Sequence, residues 1–350
     1  MATVERSRER TPPLTPRESE TSRPTTRTPG ASQSPSSQPP EKNRPPLLAL
    51  LEAAWLDPKS RPLVLGAIGS LALVTLIYWA NLKHFVQVWS TDENYNHGFL
   101  VPFISLYFAN EAARRGPLVV RSGLFLGSFM VGISLLIKLS TILIPFSVAS
   151  DYGLLLGLAG ICAVLAGTDA LKRYWFAFAF LVFLVPLPVA LYSMIANPLQ
   201  LMVSQIATSM LNLIGIPAYC EGTMITLAGD ARLFVAEACS GMRQLTGFLA
   251  LTTAWAYLSA RPFWNRVLLI ASSIPIAMTA NVVRVTVTGV ITYHFDPKYA
   301  SGMFHTLEGL AMMGLGLSLL ATFSYCLDQV TAFFRRSAVS AGTIPEGKLA

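Results

Sequence analysis

The sequence predicts an all-α polytopic membrane protein of about eight transmembrane helices, with an extracytoplasmic interfacial helix and one short β-hairpin. Three observations carry that prediction. The 350 residues are 53% hydrophobic and only 13% charged, against about 25% charged in an ordinary soluble domain, and the mean hydropathy is +0.51. Apolar runs recur at the length that crosses a bilayer. Lys and Arg fall in short clusters between those runs, so the net charge of +7 reads as a positive-inside pattern and not as a nucleic-acid stripe.

Taken in order, residues 1–47 come first and are a different material. The stretch "TPPLTPRESETSRPTTRTPGASQSPSSQPPEKNRPP" is rich in Pro, Ser, Thr and Arg and has almost no large apolar residue. It cannot bury enough surface to offset its chain entropy, and it is expected to be a disordered cytoplasmic segment. No short apolar core follows its basic start, so it does not read as a signal peptide.

The membrane domain is expected over 48–330. A helix rises about 1.5 Å per residue, so roughly 20 apolar residues cross a core about 30 Å thick. The candidate spans are 63–82, 97–110, 121–143, 151–168, 174–195, 240–259, 267–292 and 305–328. Between the fifth and sixth lies "ANPLQLMVSQIATSMLNLIGI", 196–216, with Asn197, Gln200, Ser204, Gln205, Thr208 and Asn212. It reads as an amphipathic helix at the interface. Residues 331–350 are expected as a cytoplasmic tail.

Basic residues set the orientation. They precede the first span (Lys59, Arg61) and follow the second (Arg114, Arg115, Arg121), the fourth (Lys172, Arg173), the sixth (Arg261, Arg266) and the eighth (Arg335, Arg336). Every second connection is basic, which puts both termini in the cytoplasm. A crossing by 196–216 would move the later clusters outside, so the charges argue against one.

The longest outward connection then ends in "EGTMITLAGDARLFVAEACSG". Two β-type runs, "TMITLA" and "ARLFVA", flank Gly229-Asp230, a hairpin-turn signal. The second run delivers Cys239 to the N-terminus of the sixth span, where unpaired N–H groups favour a thiolate. Glu237 precedes the thiol and Arg243 follows it by one turn. Arg284, in "IPIAMTANVVRVTVTGVITYH", lies roughly 12 Å below the outer end of its span. Placing an Arg at mid-span costs about 2.5–3.5 kcal/mol. Asn281 and Thr288 share its helix face, so the stripe is expected to face protein or a wet cavity; the plainer alternative is an Arg that snorkels outward or bonds a carbonyl. His305 opens the last span, with Glu308 three residues on to orient the imidazole or cap the helix; a His there is equally at home as an interfacial residue. A thiol, a guanidinium and an imidazole brought to one leaflet suit acyl transfer.

Cys162 and Cys326 read as packing residues. Cys220 lies on the outer connection, where a disulfide with Cys239 is the alternative use of both. No Cys pair has C-x-x-C spacing, and neither a metal nor a cofactor is expected.

These residues resemble the exosortase/archaeosortase family of membrane transpeptidases. The resemblance rests on "ACSG" at 238–241 with Arg243, on "NVVRV" at 281–285, on His305, and on "YNHGFLVPFISLYF" from Tyr95, which looks like the family's Tyr-x-His-Gly segment. It covers about 63–328. It implies a multi-pass enzyme of the bacterial inner membrane, with its site on the extracytoplasmic side. The implied substrates are membrane-anchored proteins with a C-terminal sorting signal: a short motif such as Pro-Glu-Pro, a transmembrane helix and a basic cluster. The enzyme would cleave them through a thioester acyl-enzyme. Carried over by position, Cys239 is the nucleophile, Arg284 the electrostatic stabiliser and His305 the proton-transfer residue. Arg243, Asn281, Glu237, Glu308, Tyr95 and His97 stand as substrate or supporting residues. Two other classes compete. A transporter would use Arg284, Asn281 and His97 as pathway residues, but the spans show no duplicated half with matching broken helices, and Cys239 is left without a task. A non-catalytic scaffold for surface-polymer export is the second.

Overall fold

The structure, a computed structural model, describes residues 47–115, 122–143, 147–229, 231–235, 242–295 and 303–340. The expected disordered segment, Asp230, Glu237, Cys239 and the tail from residue 341 lie outside the described residues.

The chain opens with α1 (Leu47–Leu56) and α2 (Arg61–Ile77), bent by 119° at the connection between them. Asp57 shapes the corner: the Ser60 hydroxyl donates to its carboxylate at 2.8 Å and the Lys59 N–H at 3.1 Å. Pro62 follows in the first turn of α2, where no N–H is needed. Next come α3 (Trp79–Thr91), a 3-10 helix (Glu93–Phe99), α4 (Val101–Ala113) and α5 (Leu124–Leu143). The fourth and fifth expected spans are joined in α6 (Ser147–Phe180), whose backbone leaves helical geometry at Gly167 (φ 86°, ψ 173°). That left-handed conformation favours glycine.

The fifth span was expected to run to residue 195. Instead α6 gives way to a short 3-10 turn (Leu181–Leu184), and the chain breaks at Pro186 and Pro188, which have no N–H to continue a helix. A new helix, α7 (Val189–Leu213), takes up the end of that span together with most of 196–216. The polar residues named above divide: Gln200, Ser204 and Thr208 are buried, whereas Asn197, Gln205 and Asn212 are exposed together with Leu201, Met202, Ile206 and Met210. The buried polar residues lie on the same side as Val203, Ala207 and Leu211, the side that packs against α10.

The sheet has three strands in the order β1 (Ala218–Glu221), β2 (Met224–Leu227), β3 (Arg232–Phe234). The expected hairpin is β2 with β3, paired antiparallel with Ile225 opposite Leu233 and with Gly229 at φ 92° in the turn. The strand β1 was not anticipated. It pairs with β2 through Gly222, at φ 62°, and is tied to the end of α7, where the Ala218 N–H donates to Asn212 and the Asn212 amide donates back to the Ala218 carbonyl, both at 2.9 Å.

After the sheet come α8 (Met242–Leu258), α9 (Phe263–Ala271), α10 (Ser273–His294) and α11 (Met303–Ser340). Packing fixes their directions. The Phe248 ring of α8 lies against Gly316 of α11, leaving no space for a Cβ there. Beyond the end of α8, Arg261 donates to the Ser324 hydroxyl at 2.7 Å and to the Asp328 carboxylate at 2.6 Å, and Asn265 donates to Thr331 at 2.7 Å. So α8 and α11 run parallel. Ile276 and Ala277, at the start of α10, share a core with Ala256, Leu269 and Leu320, so α10 runs antiparallel to both.

Among the described residues, four stretches are long and apolar enough to cross a membrane, or five if the bent α1–α2 pair counts as one. That is fewer than the eight expected. The helix α4, at 13 residues, and α8, at 17, fall short of the roughly 20 a crossing needs, and α6 holds two expected spans in one stretch.

Candidate active site

The site is built on α10. Its buried arc comprises Ser273, Ile276, Ala277, Ala280, Asn281, Arg284, Val285, Thr288 and Gly289. On one side of this arc, Val285 packs with Val203, Ala207 and Leu211 of α7 and with Ile225 and Leu227 of the sheet. On the other, Ile276 and Ala277 pack with Phe248 of α8 and Leu320 of α11. Arg284 falls between the two sets. It is 5% exposed and Asn281 2%, so the stripe faces protein, as its apolar surroundings required, and the snorkelling alternative does not hold. The Thr288 hydroxyl donates to the Arg284 carbonyl at 3.0 Å and the Thr292 hydroxyl to that of Thr288 at 2.8 Å.

Helix register relates Arg284 to its neighbours. Leu245 of α8 and Asn281 line one small cavity with Leu199, Val203, Ile274, Ala277 and Met278. Its volume, about 10 Å³, is room for about one water. Because α8 and α10 are antiparallel, three residues onward from Asn281, about 4.5 Å, match three residues back from Leu245. Arg284 is therefore level with Met242, the first residue of α8. On α11, Gly316 is level with Phe248, and His305 lies in the same helix about 16 Å nearer its start. The starts of α8 and α11 and the buried guanidinium thus share one end of a three-helix unit. Glu237 and Cys239 lie outside the described residues, as do the side chains of Arg243, His305 and Glu308. The described members of the expected constellation are Arg284, Asn281, Tyr95 and His97.

The Tyr95–His97 segment is brought to the same end. It forms the 3-10 helix "ENYNHGF", opened by the Asp92 carboxylate, which accepts from the Asn94 N–H at 2.9 Å. The Thr246 hydroxyl of α8 donates to the Asn94 carbonyl at 3.2 Å. The Tyr95 hydroxyl accepts from the Leu187 N–H at 3.1 Å, between the two prolines, and the Trp89 indole donates to the Leu184 carbonyl at 3.1 Å. Gly98 packs so closely on that indole that a Cβ would collide with it. Burial pushes the His97 imidazole below its usual pKa, opposed by a hydrogen bond with the Asn94 backbone.

The second concavity is an apolar groove of about 480 Å³ between α7 and α10, lined by Ile206, Met210, Met278, Val282 and Val287 among others. It does not contain Arg284. Of the remaining cysteines, Cys220 is a free thiol whose Sγ donates to the Gly222 carbonyl at 3.2 Å, and Cys162 and Cys326 are free as well. Gln244 went unremarked in the sequence. Its Oε1 is buried and meets no hydrogen-bond donor among the described residues. Only its place one residue after Arg243 marked it out beforehand.

Fold and site together define a helical multi-pass membrane protein with a cation buried where three helices meet and a small sheet leading into one of them. Residues 89–322 match the family described as transmembrane exosortase, and the chain belongs to that family, one of membrane transpeptidases. The matched region runs from the end of α3 into α11 and so includes the Tyr95–His97 segment, Arg284 and the start of α11. No curated protein and no solved structure matches the chain.

Proposed function

We propose that the protein is a cysteine transpeptidase that cleaves C-terminal sorting signals of exported, membrane-anchored proteins on the extracytoplasmic side of the bacterial inner membrane, with both of its termini in the cytoplasm. The observation that carries the reading is the buried Arg284, level with the first residue of α8 and set between the two helices whose starts follow Cys239 and carry His305.

In this mechanism the Cys239 thiolate attacks the carbonyl carbon of the scissile peptide bond. The tetrahedral oxyanion forms against the Arg284 guanidinium, a preorganised donor buried among the helices. As the C–N bond breaks, His305 gives a proton to the leaving amine, and a thioester remains on Cys239. An acceptor amine or water then attacks the thioester, His305 takes its proton, and the thiolate leaves. Asn281 and the Tyr95–His97 segment brace the site, and Glu308 orients the imidazole.

The test uses a co-expressed reporter ending in a Pro-Glu-Pro motif, an apolar helix and an arginine cluster. Wild-type protein should convert it to a shorter band. Cys239→Ala should insert and accumulate normally yet leave the band uncut; a processed reporter in that variant would remove the thiol mechanism. The orientation is checked by labelling Glu221→Cys, with Cys220→Ser, from outside intact cells. Reaction only after permeabilisation would place the sheet on the cytoplasmic side and defeat the reading.

A further inference from the structure

Gln244 has no role in the mechanism above, and its position is unusual. It lies in the first turn of α8, next to Leu245 of the Asn281 cavity and one turn before Phe248, which packs on Gly316 of α11. Because α8 and α11 run parallel, Gln244 is level with Met312, which is buried. Its Oε1 is sealed from solvent and meets no donor among the described residues. The polar residues around it behave otherwise: the Thr246 hydroxyl donates to Asn94 and the Thr252 hydroxyl to the Phe248 carbonyl. A buried, unmet acceptor destabilises a fold, and an apolar side chain of the same size would not. Its presence calls for a donor that arrives from elsewhere.

We infer that Gln244 binds the substrate backbone: its carboxamide oxygen accepts a peptide N–H from the extended chain held for cleavage. The inference rests on the transpeptidase reading. A protease substrate must be unwound at the scissile bond, and where that unwound chain enters the apolar bundle its N–H groups need acceptors that water does not supply. Gln244 lies about 10 Å deeper than His305, seven residues further along the parallel register. Extended chain advances about 3.3 Å per residue. The contact therefore falls about three residues from the cut bond, on the side that continues into the bilayer. The ligand is peptide backbone and not a particular side chain, so the residue contributes to holding the chain at one depth, which selects where it is cut.

Gln244→Met, nearly equal in volume and without polar atoms, tests this with the same reporter and with thermal unfolding of the purified full-length protein. The expected result is a melting temperature equal to or above that of the wild type, together with processing slowed about tenfold, the effect of one lost hydrogen bond to a buried partner. Mass spectrometry of the released fragments should also show cuts spread over neighbouring bonds, which a purely structural role would not produce. Wild-type rate and a single cut site would overturn the inference, and so would a loss of processing that merely follows a lowered melting temperature. Cleavage by Cys239→Ala in parallel would instead bring down the underlying reading.

Discussion

Lys138 and Arg284 are both cations set within apolar helices, and the molecule surrounds them differently. Around Lys138 the polar groups close on one another. Its ammonium donates to Asn81 Oδ1 at 2.6 Å and lies 5.2 Å from the centre of the Tyr78 ring, while the Asn81 amide donates to Asp151 at 2.7 Å and to Ser150 at 3.0 Å. Tyr78 in turn donates to the Ser134 carbonyl at 2.9 Å, and the Ser134 hydroxyl donates to the Gly153 carbonyl at 2.8 Å. One cation and one carboxylate, bridged by a neutral amide, tie α3 to α5 and α6. Arg284 is more deeply buried, where α7, α8 and α10 meet. Burying charge is costly in both places. In the first the cost is offset within the fold, and the product is cohesion. In the second, on the proposed mechanism, the guanidinium also serves the reaction.

That contrast can be broken most sharply at Arg284. If it stabilises the oxyanion through its planar donor fork, Lys cannot replace it. Arg284→Lys should insert normally and cut the reporter about 100- to 1000-fold more slowly, the range for losing an oxyanion donor. Near-normal cutting would reduce Arg284 to a counter-charge like Lys138. The opposite region should fail in stability and not in chemistry. Asn81→Leu strips the acceptor from Lys138 and the donor from Asp151 together. At roughly 1–3 kcal/mol per unmet group, the loss should be about 2–6 kcal/mol in the unfolding of purified protein, with the rate per folded molecule within about twofold of wild type. A variant that is stable but inactive would show that the two regions are one system. The smallest effect joins them. Gly98→Ala forces the 3-10 helix off the Trp89 indole, a misfit of about 1–3 kcal/mol, and should slow processing only modestly through the Thr246–Asn94 contact. Unchanged stability and rate would separate the Tyr95–His97 segment from the site.

How much of this was legible in the sequence varied with the range of the forces involved. An Arg in an apolar window announces itself, and an i, i+4 stripe with Asn281 and Thr288 predicts a protein-facing side. The β2–β3 hairpin was legible because Gly229-Asp230 is a local turn signal. The strand β1 has only four residues, and what holds it in place is Asn212, at the end of the preceding helix. That Gln200, Ser204 and Thr208 of α7 are buried was not legible, because polar spacing alone does not say whether water or protein lies opposite. That depends on α10, far along the chain. The parallel course of α8 and α11, which sets the depths of Arg284 and His305, comes from contacts such as Phe248–Gly316 that no local pattern encodes. Gln244 stayed silent for the same reason. A glutamine is unremarkable until its surroundings show that no described donor meets its Oε1.

The length of α11 has a mechanical consequence. Its 38 residues make a rod about 57 Å long, clamped toward one end by Arg261 on Asp328 and Asn265 on Thr331. His305 rides near the other end, about 34 Å from Asp328. Between the two, Phe248 packs on Gly316 and Leu320 joins the shared core, so the rod is held along its length as well as at the clamp. On the proposed mechanism, the Arg261–Asp328 pair thus helps to set the direction of the helix that carries His305.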